Sequence, residues 1–341
     1  MCELLGMSFN QPVRPAFSFR GFRRRGENNP DGWGLAYYPD KSAEVFKESL
    51  ASQSSALSKF LLQYTGLQSE TIIAHVRKGS KGGRSHENTH PFARVFQGRE
   101  YIFAHNGTLR DYLSLGLGSF KPIGETDSEY VFCYLLGSFE QRGLRDWTET
   151  EFEWLGAKLS QVNAFGTFNT LFSDGTHLFC YRDRDGYNGL CYCHRQSPFG
   201  NIRLKDEDFD INLDEEKNPT QTGYIVATKA LTNERWQDVP WGCLLVFREG
   251  RQVFPSTDSP SFSSTETEVL RLLRASRHEL SLKQIAEAIG GLTEARRVVA
   301  LLLRQSYITQ DSHDEVKWDD SRATFYTCQS RRDEIDHLIG F

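Results

Sequence analysis

The sequence predicts an α+β protein built from two domains. At 341 residues the chain is roughly twice the length of a common single domain. Short apolar runs with strand character alternate with a few helical patterns up to residue 254, and a Pro/Ser-rich segment then precedes a different, mainly helical tail. We therefore expect a larger domain over residues 1–254, a linker over 255–264 and a second domain over 265–341.

Composition is that of an ordinary soluble globular protein, with 38% hydrophobic and 25% charged residues. A net charge of -5 argues against a protein that coats nucleic acid or an acidic membrane. No basic-then-apolar signal precedes Cys2, and no run approaches the roughly 20 apolar residues of a membrane span. The seven cysteines are odd in number and thinly spread, which fits a reducing compartment, so we expect a cytoplasmic protein.

Strand and helix patterns follow one another in the larger domain. Helical patterns cover residues 49–63, 126–136 and 152–162, and the second of these begins with the cap residues Thr126 and Asp127. Residues 205–217 are acidic and irregular, which indicates a solvated loop. After the first strand near residues 2–7, strand patterns cover 35–38, 43–46, 71–76, 101–105, 167–173, 177–181, 190–193, 224–228 and 244–247.

The tail predicts a winged-helix-like domain. Capping-box patterns at Thr265 with Glu268 and at Ser281 with Gln284 start two helices, and residues 293–304 form a third. Strand patterns at 307–309, 315–318 and 323–327 would form the wing. With 11 Lys/Arg against 13 Asp/Glu, residues 265–341 are poorly suited to neutralising phosphates. We expect this domain to contact protein or to form a homo-oligomer in preference to binding DNA.

A cysteine directly follows the initiator methionine. Once Met1 is removed, Cys2 carries a thiol and a free α-amine, whose ordinary pKa of about 7.7–8.0 lets it take the thiol proton near neutral pH. The ordinary alternative is a small residue buried in the first strand. Three other pieces of the chain decide between these two readings.

Arg77, Asn106-Gly107 and Thr126-Asp127 complete a chemical set around Cys2. Taken singly they are a solvated charge, a turn and a helix cap. Taken together, Asn106 and the Gly107 N–H can stabilise the oxyanion formed when a thiol attacks an amide. Arg77 can bind an α-carboxylate, and Asp127 can bind an α-ammonium. The set predicts a site for glutamine or a γ-glutamyl amide.

The chain resembles the class II (N-terminal-nucleophile) glutamine amidotransferases, and most closely their YafJ-like stand-alone branch. Order and spacing match over roughly residues 2–250. The resemblance is carried by the motifs Met1-Cys2-Glu3-Leu4-Leu5-Gly6-Met7, Asp31-Gly32-Trp33-Gly34, Ala74-His75-Val76-Arg77, Glu87-Asn88-Thr89-His90-Pro91-Phe92, Ala104-His105-Asn106-Gly107, Gly124-Glu125-Thr126-Asp127-Ser128-Glu129 and Val226-Ala227-Thr228.

This resemblance implies an αββα Ntn-hydrolase sandwich with Cys2 as the nucleophile and Asn106 and Gly107 as the oxyanion hole. It implies that Arg77 and Asp127 hold the glutamyl carboxylate and ammonium, with Thr126 at the same helix start. His90 lies in the matching loop, where it either lines the pocket or makes a structural hydrogen bond. The resemblance also relates Arg25-Gly26 to an Arg-Gly pair near the thiol.

The resemblance does not indicate what accepts the nitrogen that is released from the γ-amide. No domain that accepts ammonia follows in this sequence, so either a separate partner protein accepts it or the enzyme hydrolyses a γ-glutamyl amide. A different class of function is a regulatory, non-catalytic protein that binds a γ-glutamyl ligand while its winged helix binds a partner or DNA.

Neither a cofactor nor a metal is expected. The sequence has no phosphate-cradling or dinucleotide motif. Cys191 and Cys193 are better explained as packed strand residues than as zinc ligands, because no second ligand pair has the required spacing. The basic, glycine-rich loop at 78–84 is either a flap that closes over substrate or a solvated loop.

Overall fold

Two stacked antiparallel sheets form the framework of the chain up to Phe254. The computed structural model describes residues 1–255, 264–276, 278–304, 307–310, 323–328 and 335–336. These residues divide into two compact units, Met1–Phe254 and Pro255–Phe341.

Fifteen strands and five α-helices make up the first unit. The strands are β1 (Glu3–Val13), β2 (Gly32–Tyr37), β3 (Glu44–Glu48), β4 (Ser69–Arg77), β5 (Phe92–Phe96), β6 (Arg99–Leu109), β7 (Gly166–Ser173), β8 (His177–Tyr181), β9 (Cys191–Gln196), β10 (Asn201–Arg203), β11 (Asp210–Asn212), β12 (Thr222–Ala227), β13 (Gln237–Asp238), β14 (Leu244–Arg248) and β15 (Arg251–Phe254). The helices are α1 (Ala16–Arg24), α2 (Ala56–Leu61), α3 (Asp127–Arg142), α4 (Glu149–Asn163) and α5 (Leu213–Glu216).

The strand order places the N-terminal strand in the middle of its sheet. The first sheet runs β13-β9-β12-β1-β4-β2-β3, and the second runs β15-β14-β8-β7-β6-β5. Strands β10 and β11 form a separate pair. All the paired strands are antiparallel, and Glu3 on β1 lies opposite Val76 on β4 while Leu5 lies opposite Ala227 on β12.

Alternating side chains build three apolar layers. Leu4, Ile73 and Ala104 belong to the core between the two sheets. The side chains next to these on each strand face away from the other sheet. There α1 and α2 cover the first sheet, and α3 and α4 cover the second. The observed architecture is thus helix, sheet, sheet, helix, as expected for an N-terminal-nucleophile fold.

The same alternation assigns the candidate site residues to one face. Successive side chains on a strand point to opposite sides. Cys2, Arg77 and Asn106 each lie an even number of residues from Leu4, Ile73 and Ala104, which are core residues. Their side chains therefore belong to the space between the sheets, at the end where β1 begins and β4 ends.

Several local predictions differ from the structure. No helix was predicted before residue 49, yet the Arg-rich residues 17–24 belong to α1, whose Phe19 and Phe22 are fully buried. Residues 49–63 form only a short 3-10 turn and the six-residue α2. Asn106 and Gly107 lie inside β6, which continues to Leu109 because it pairs with β7.

The acidic stretch at 205–217 is mostly exposed, as predicted, but it is not an irregular loop. It contains β11 and α5, and two of its acids form ion pairs with the first unit's arginines: Asp206 with Arg25 at 2.8 Å and Glu207 with Arg20 at 2.8 Å. Opposite charges distant in sequence therefore give this segment its structure.

In the second unit, three helices and a small sheet surround an apolar core. The described elements are α6 (Ser264–Ala275), β16 (Leu280–Ser281), α7 (Leu282–Ile289), α8 (Leu292–Arg304), β17 (Ile308–Gln310) and β18 (Thr324–Thr327). The sheet order is β16-β18-β17. Ser281 and Gln284 form the expected capping box. Since α6 already begins at Ser264, Thr265 is not its cap, and the strand expected at 315–318 lies outside the described residues.

Candidate functional site

Cys2 immediately precedes β1, and its sulfur contacts the backbone just after the end of β4. The Lys78 N–H donates to the Cys2 Sγ at 3.2 Å, and the thiol reaches the Lys78 carbonyl at 3.2 Å. Burial raises the pKa of the Cys2 thiol, although the Lys78 N–H, the chain's terminal ammonium and Arg77 act in the opposite direction. The thiol is therefore protonated at neutral pH, and a nucleophilic role requires a base.

A buried ion pair fixes the residue that follows Cys2. The Arg25 Nη1 donates to the Glu3 carboxylate at 2.7 Å, and both side chains are more than nine-tenths buried. Arg25 also binds Asp206 and the carbonyls of Lys229 and Ala230. The correspondence of Arg25 suggested by the sequence thus has a structural counterpart: it holds the start of the strand that carries Cys2.

Arg77 is a buried cation whose hydrogen bonds go to uncharged groups. Its guanidinium donates to the carbonyls of Lys81 at 3.0 Å, Gly82 at 3.2 Å and Gly83 at 3.2 Å. Among the described residues, no carboxylate lies within ion-pair distance of Arg77, which is only 2% exposed. A buried charge without a counter-ion is costly, and it favours the binding of an anion.

Asn106 is a buried amide with neither of its polar atoms bonded. The side chain is 1% exposed, and within the described chain both Oδ1 and Nδ2 lack hydrogen-bond partners. Pairing of β5 with β6 ends at Phe103, so that edge of β6 is free alongside Asn106 and Gly107. A Cβ on Gly107 would lie 2.0 Å from the Thr167 carbonyl, which explains why glycine is required there.

Thr126 and Asp127 have separate structural roles at the start of α3. The Thr126 hydroxyl accepts the Glu129 N–H at 3.1 Å and is the N-cap. The Asp127 Oδ2 accepts the Leu109 N–H at 2.7 Å, and its Oδ1 accepts the Ser128 N–H at 3.0 Å. A carboxylate has about four acceptor positions, so Asp127 can bind a further donor.

The glycine-rich segment 78–83, here called the flap, connects these groups. Its Gly79 N–H donates to Asp31 at 2.9 Å, and its Ser80 Oγ accepts the Thr108 hydroxyl at 3.1 Å. The Lys81 Nζ donates to the Leu109 carbonyl at 2.7 Å and lies 4.4 Å from the centre of the Tyr112 ring. A cleft of about 600 Å³ opens beside it, lined by Lys81, Gly82, Asp111, Tyr112, Leu113, Ser114 and Glu125. The flap is thus bonded to the site and is not simply a solvated loop.

His90 is buried beside a second histidine. The His75 and His90 rings lie 4.2 Å apart, centre to centre, and His90 also contacts Phe92 at 4.5 Å. Within the described residues, none of the four ring nitrogens has a hydrogen-bond partner. Burial lowers the pKa of His75 to about 3 and that of His90 well below its usual value. Both are therefore neutral, and the structural hydrogen bond considered for His90 is not found.

The motif Asp31-Gly32-Trp33-Gly34 brings two backbone segments close together. A Cβ on Gly34 would lie 2.3 Å from the His90 carbonyl. The Asp31 N–H donates to the Arg77 carbonyl at 3.0 Å. This motif therefore connects the loop that contains His90 to the end of β4.

Sequence reasoning missed the turn at 183–189. Its Asn188 side chain donates to the Cys2 carbonyl at 3.1 Å. Tyr187 lies near the thiol: burial, followed by the Cys2 charge, raises the pKa of the tyrosine. Asp183 fixes the turn by accepting the N–H groups of Tyr187 and Phe168. The composition of residues 183–189 (DRDGYNG), rich in Asp, Gly and Asn, predicts a turn. The local sequence does not indicate that this turn contacts Cys2.

Other sequence expectations concern metals and membranes. In the parts of the chain that the structure describes, no group of three or more His, Cys, Asp or Glu is arranged to hold a metal ion. Cys191 and Cys193 are both buried in β9, as expected for packed strand residues. None of the described helices is long and apolar enough to cross a membrane.

Comparison with known proteins identifies the family of the chain. A family model described as class-II glutamine amidotransferases matches residues 1–270, and the chain belongs to this family. It is 38% identical to YafJ, a proposed glutamine amidotransferase of Escherichia coli, over 74% of this chain and all of that protein. It is 43% identical to an uncharacterised protein of Methanocaldococcus jannaschii, over all of this chain and 97% of that one.

A solved structure shares the fold and much of the sequence. The crystal structure of a predicted glutamine amidotransferase from Pseudomonas aeruginosa matches with a TM-score of 0.58 and 32% identity, covering 74% of this chain and 99% of that one. The sequence-based assignment to class II glutamine amidotransferases is therefore confirmed.

Proposed function

We propose that this protein cleaves the γ-amide of glutamine or of a γ-glutamyl compound through a thioester on Cys2. The observation that carries the proposal is Asn106, a buried amide with both polar atoms unbonded on the same inter-sheet face as Cys2. Burying such a group without a partner costs about 1–3 kcal/mol. An oxyanion formed next to Cys2 would supply the missing acceptor.

The reaction requires Cys2 to be the first residue. After removal of Met1, the Cys2 α-amine takes the thiol proton, and the sulfur attacks the γ-carbonyl. Asn106 and the Gly107 N–H stabilise the oxyanion; the C–N bond then breaks, and ammonia or an amine leaves with the proton. Water, deprotonated by the same amine, cleaves the thioester and releases glutamate.

Arg77 and Asp127 hold the glutamyl end in this scheme. When substrate binds, the Arg77 guanidinium gives up hydrogen bonds to the flap carbonyls and binds the α-carboxylate instead. The Asp127 carboxylate accepts a hydrogen bond from the α-ammonium while it keeps the two N–H groups that it already accepts. Thr126 keeps Asp127 in place by capping α3. His90, whose ring contacts the His75 ring, forms part of the buried support behind the site.

Intact-mass analysis and glutamate release test the mechanism together. We expect Met1 to be absent from active protein and Cys2→Ala to abolish release of glutamate from glutamine and from γ-glutamyl amides. Full activity in protein that retains Met1 would exclude the α-amine as the base. Tight, unconsumed glutamine would instead favour the regulatory binding protein.

We propose that residues 265–341, which lie within the second unit, form a winged-helix-like domain for protein contact or dimerisation. The order α6, β16, α7, α8, β17, β18 and a small antiparallel sheet support this. Arg297 on α8 is paired with Glu294 at 2.7 Å and with Glu266 at 3.7 Å, which reduces its value for binding phosphates. A chain ending at Pro255 should keep its turnover but lose self-association measured by light scattering, and a salt-dependent shift of the full chain with duplex DNA would contradict this role.

A further inference from the structure

The connection between β8 and β9 passes from one sheet to the other at the candidate site. Strand β8 belongs to the second sheet, which also contains Asn106 on β6, and β9 belongs to the first sheet, in which Cys2 precedes β1. The turn at residues 183–189 lies in this connection, and its Asn188 side chain donates to the Cys2 carbonyl at 3.1 Å. The turn is therefore a covalent connection between the sheet of the proposed nucleophile and the sheet of the proposed oxyanion hole.

Asp183 fixes the start of this turn. Its Oδ2 accepts the Phe168 N–H of β7 at 2.8 Å and the Asn163 side-chain N–H at 2.8 Å. Its Oδ1 accepts the N–H groups of Asp185 at 2.9 Å and Tyr187 at 3.1 Å, within the turn itself. Burial acts to raise the pKa of Asp183, but these hydrogen bonds outweigh burial and the pKa is lowered. The carboxylate is thus ionised at neutral pH, and all of its about four acceptor positions are used.

The turn is attached to β7 opposite Asn106 and Gly107, here called the oxyanion pair. Phe168, which donates to the start of the turn, lies opposite Gly107 in the pairing of β6 with β7. Asn169 lies opposite Asn106. The Asn169 side chain donates to one carbonyl of the turn at 2.6 Å and accepts one of its N–H groups at 2.9 Å. Movement of the turn is therefore limited by the same two positions of β7 that pair with the oxyanion pair.

At its other end the turn holds the residue that precedes β1. Pairing of β1 with β12 begins at Leu5. Thr228 then binds Leu4, since its hydroxyl accepts the Leu4 N–H at 2.8 Å and its N–H donates to the Leu4 carbonyl at 3.1 Å. The Cys2 carbonyl is the next group along this edge, and Asn188 binds it. Once the initiator methionine is removed, Cys2 has a single covalent neighbour, and chain ends normally fray. The bond from Asn188 opposes that fraying.

The backbone at Asn188 adopts a left-handed conformation, with φ of 53°. Asparagine is one of the few residues other than glycine that enter this region readily. Glycine enters it without a steric cost. Asn188→Gly therefore removes the side-chain bond to the Cys2 carbonyl and leaves the shape of the turn unchanged.

We propose that Asn188 is a positioning residue that fixes the Cys2 backbone relative to the oxyanion pair. This inference rests on the proposed function and adds to it a residue that acts through Cys2. Asp183 and Asn169 attach the start of the turn to β7, and Asn188 attaches its end to Cys2. The turn thus sets the distance between the attacking sulfur and the oxyanion donors, and a misplacement of about 1 Å can lower a rate about 100-fold.

Steady-state kinetics of Asn188→Gly test the positioning. We expect kcat for glutamine to fall by at least about tenfold, because the sulfur is no longer held at the distance that the oxyanion pair requires. KM should stay unchanged, since Arg77 and Asp127 are not altered. The matched control is Gln97→Gly, which also replaces an exposed turn residue of positive φ, 52°, at the far end of β6. It should keep the kcat of the unmodified protein.

Alkylation of Cys2 by iodoacetamide separates positioning from damage to the thiol. This reaction forms no oxyanion, so its rate depends on the thiol and not on the oxyanion pair. Followed at Cys2 by peptide mass, the rate for Asn188→Gly should equal that of the unmodified protein. An equal fall in alkylation and in kcat would mean that the variant impairs the thiol itself, and an equal fall of kcat in Gln97→Gly would mean that any turn substitution has this effect. Either result overturns the inference.

Failure of the proposed function gives a different result. If the unmodified protein releases no glutamate from glutamine, the catalytic proposal fails, and hydrogen exchange of the amides of residues 3–5 tests Asn188 by itself. Faster exchange in Asn188→Gly than in Gln97→Gly supports the hold on Cys2, and equal exchange refutes it. If the unmodified protein is active and Asn188→Gly has the same kcat, the proposed function stands and only the inference fails.

Discussion

Lys81 and Asp127 bind the same residue, Leu109, from opposite sides. The Lys81 ammonium donates to the Leu109 carbonyl at 2.7 Å, and the Asp127 carboxylate accepts the Leu109 N–H at 2.7 Å. Arg77 in turn binds the Lys81 carbonyl. Arg77 and Asp127, the proposed binders of the substrate carboxylate and ammonium, are therefore connected through Lys81 and Leu109. Replacing Arg77 or Asp127 should therefore also shift the side chain of the other.

Asp127→Asn tests the ammonium site. The amide oxygen still accepts the Leu109 N–H, but the amide nitrogen cannot accept the Ser128 N–H, so some stability is lost along with the charge that attracts the ammonium. We expect KM for glutamine to rise roughly tenfold or more, because a charge-assisted hydrogen bond contributes about 1.5–3 kcal/mol. Glutaramic acid, which lacks the α-ammonium, is the control substrate. Its KM should be nearly unaffected, and an equal rise for both compounds would show that Asp127 acts only on structure.

Asn106→Ala separates catalysis from stability. Loss of one oxyanion donor typically lowers kcat by about 10²–10³-fold, and we expect this in steady-state kinetics with little change in KM. Because the Asn106 amide makes no hydrogen bond with the described residues, the urea midpoint should hardly fall. Asn169→Ala is the matched control, since Asn169 donates to Tyr187 and accepts the Asp183 N–H. If Asn106→Ala destabilised as much as Asn169→Ala, the amide would have a structural role.

Arg25→Met tests the ion pair at the start of β1. Leaving Glu3 buried with only the 3.8 Å contact to Lys229 should lower the free energy of unfolding by about 3–5 kcal/mol, measured by urea denaturation. The double variant Glu3→Gln/Arg25→Met should recover part of this loss. Arg203→Met breaks an exposed pair with Asp208 and should cost less than about 1 kcal/mol. Equal losses for Arg25→Met and Arg203→Met would contradict the importance of the buried pair.

Acid should destabilise the first unit through its buried histidines. The folded pKa of His75 is about 3, below the ordinary value of about 6.5, so the unfolded chain binds more protons as pH falls. Stability from the neutral ring is fully present above pH about 6.5 and is lost between about 6.5 and 3. Each such histidine should cost about 1.4 kcal/mol per pH unit in that range.

His75→Phe measures this contribution directly. The variant should have a shallower pH dependence of unfolding free energy between pH 6.5 and 4 than the unmodified protein, when followed by denaturant titration at each pH. His86→Phe replaces an exposed histidine and should keep the original slope. Identical slopes for all three proteins would mean that His75 is protonated in the folded state.

Local sequence patterns correctly predicted those strands and helices whose ends are set by residues close by in the sequence. The strand predicted at 177–181 matches β8, and the cap residues before α3 lie where expected. The resemblance further indicated which distant pieces meet, and Cys2, Arg77 and Asn106 do lie on one inter-sheet face.

Long-range contacts account for what the sequence did not predict. Strand β6 extends past Asn106 because β7 pairs with it, and α1 forms in a basic segment because Phe19 and Phe22 are buried. Asn188 binds the carbonyl of a residue 186 positions away. Neither propensity nor spacing contains these relationships, since each depends on where two sheets and their connecting turns meet.

The central position of β1 has a consequence for synthesis. Its partner β12 starts at Thr222, and Thr228 accepts the Leu4 N–H, so the N-terminal strand gains its last neighbour only after two-thirds of the chain has been made. Chain ends normally fray, but here the strand that follows the proposed nucleophile becomes an interior element late in translation. The proposed removal of Met1 by an aminopeptidase can therefore take place in the long interval before the sheet closes.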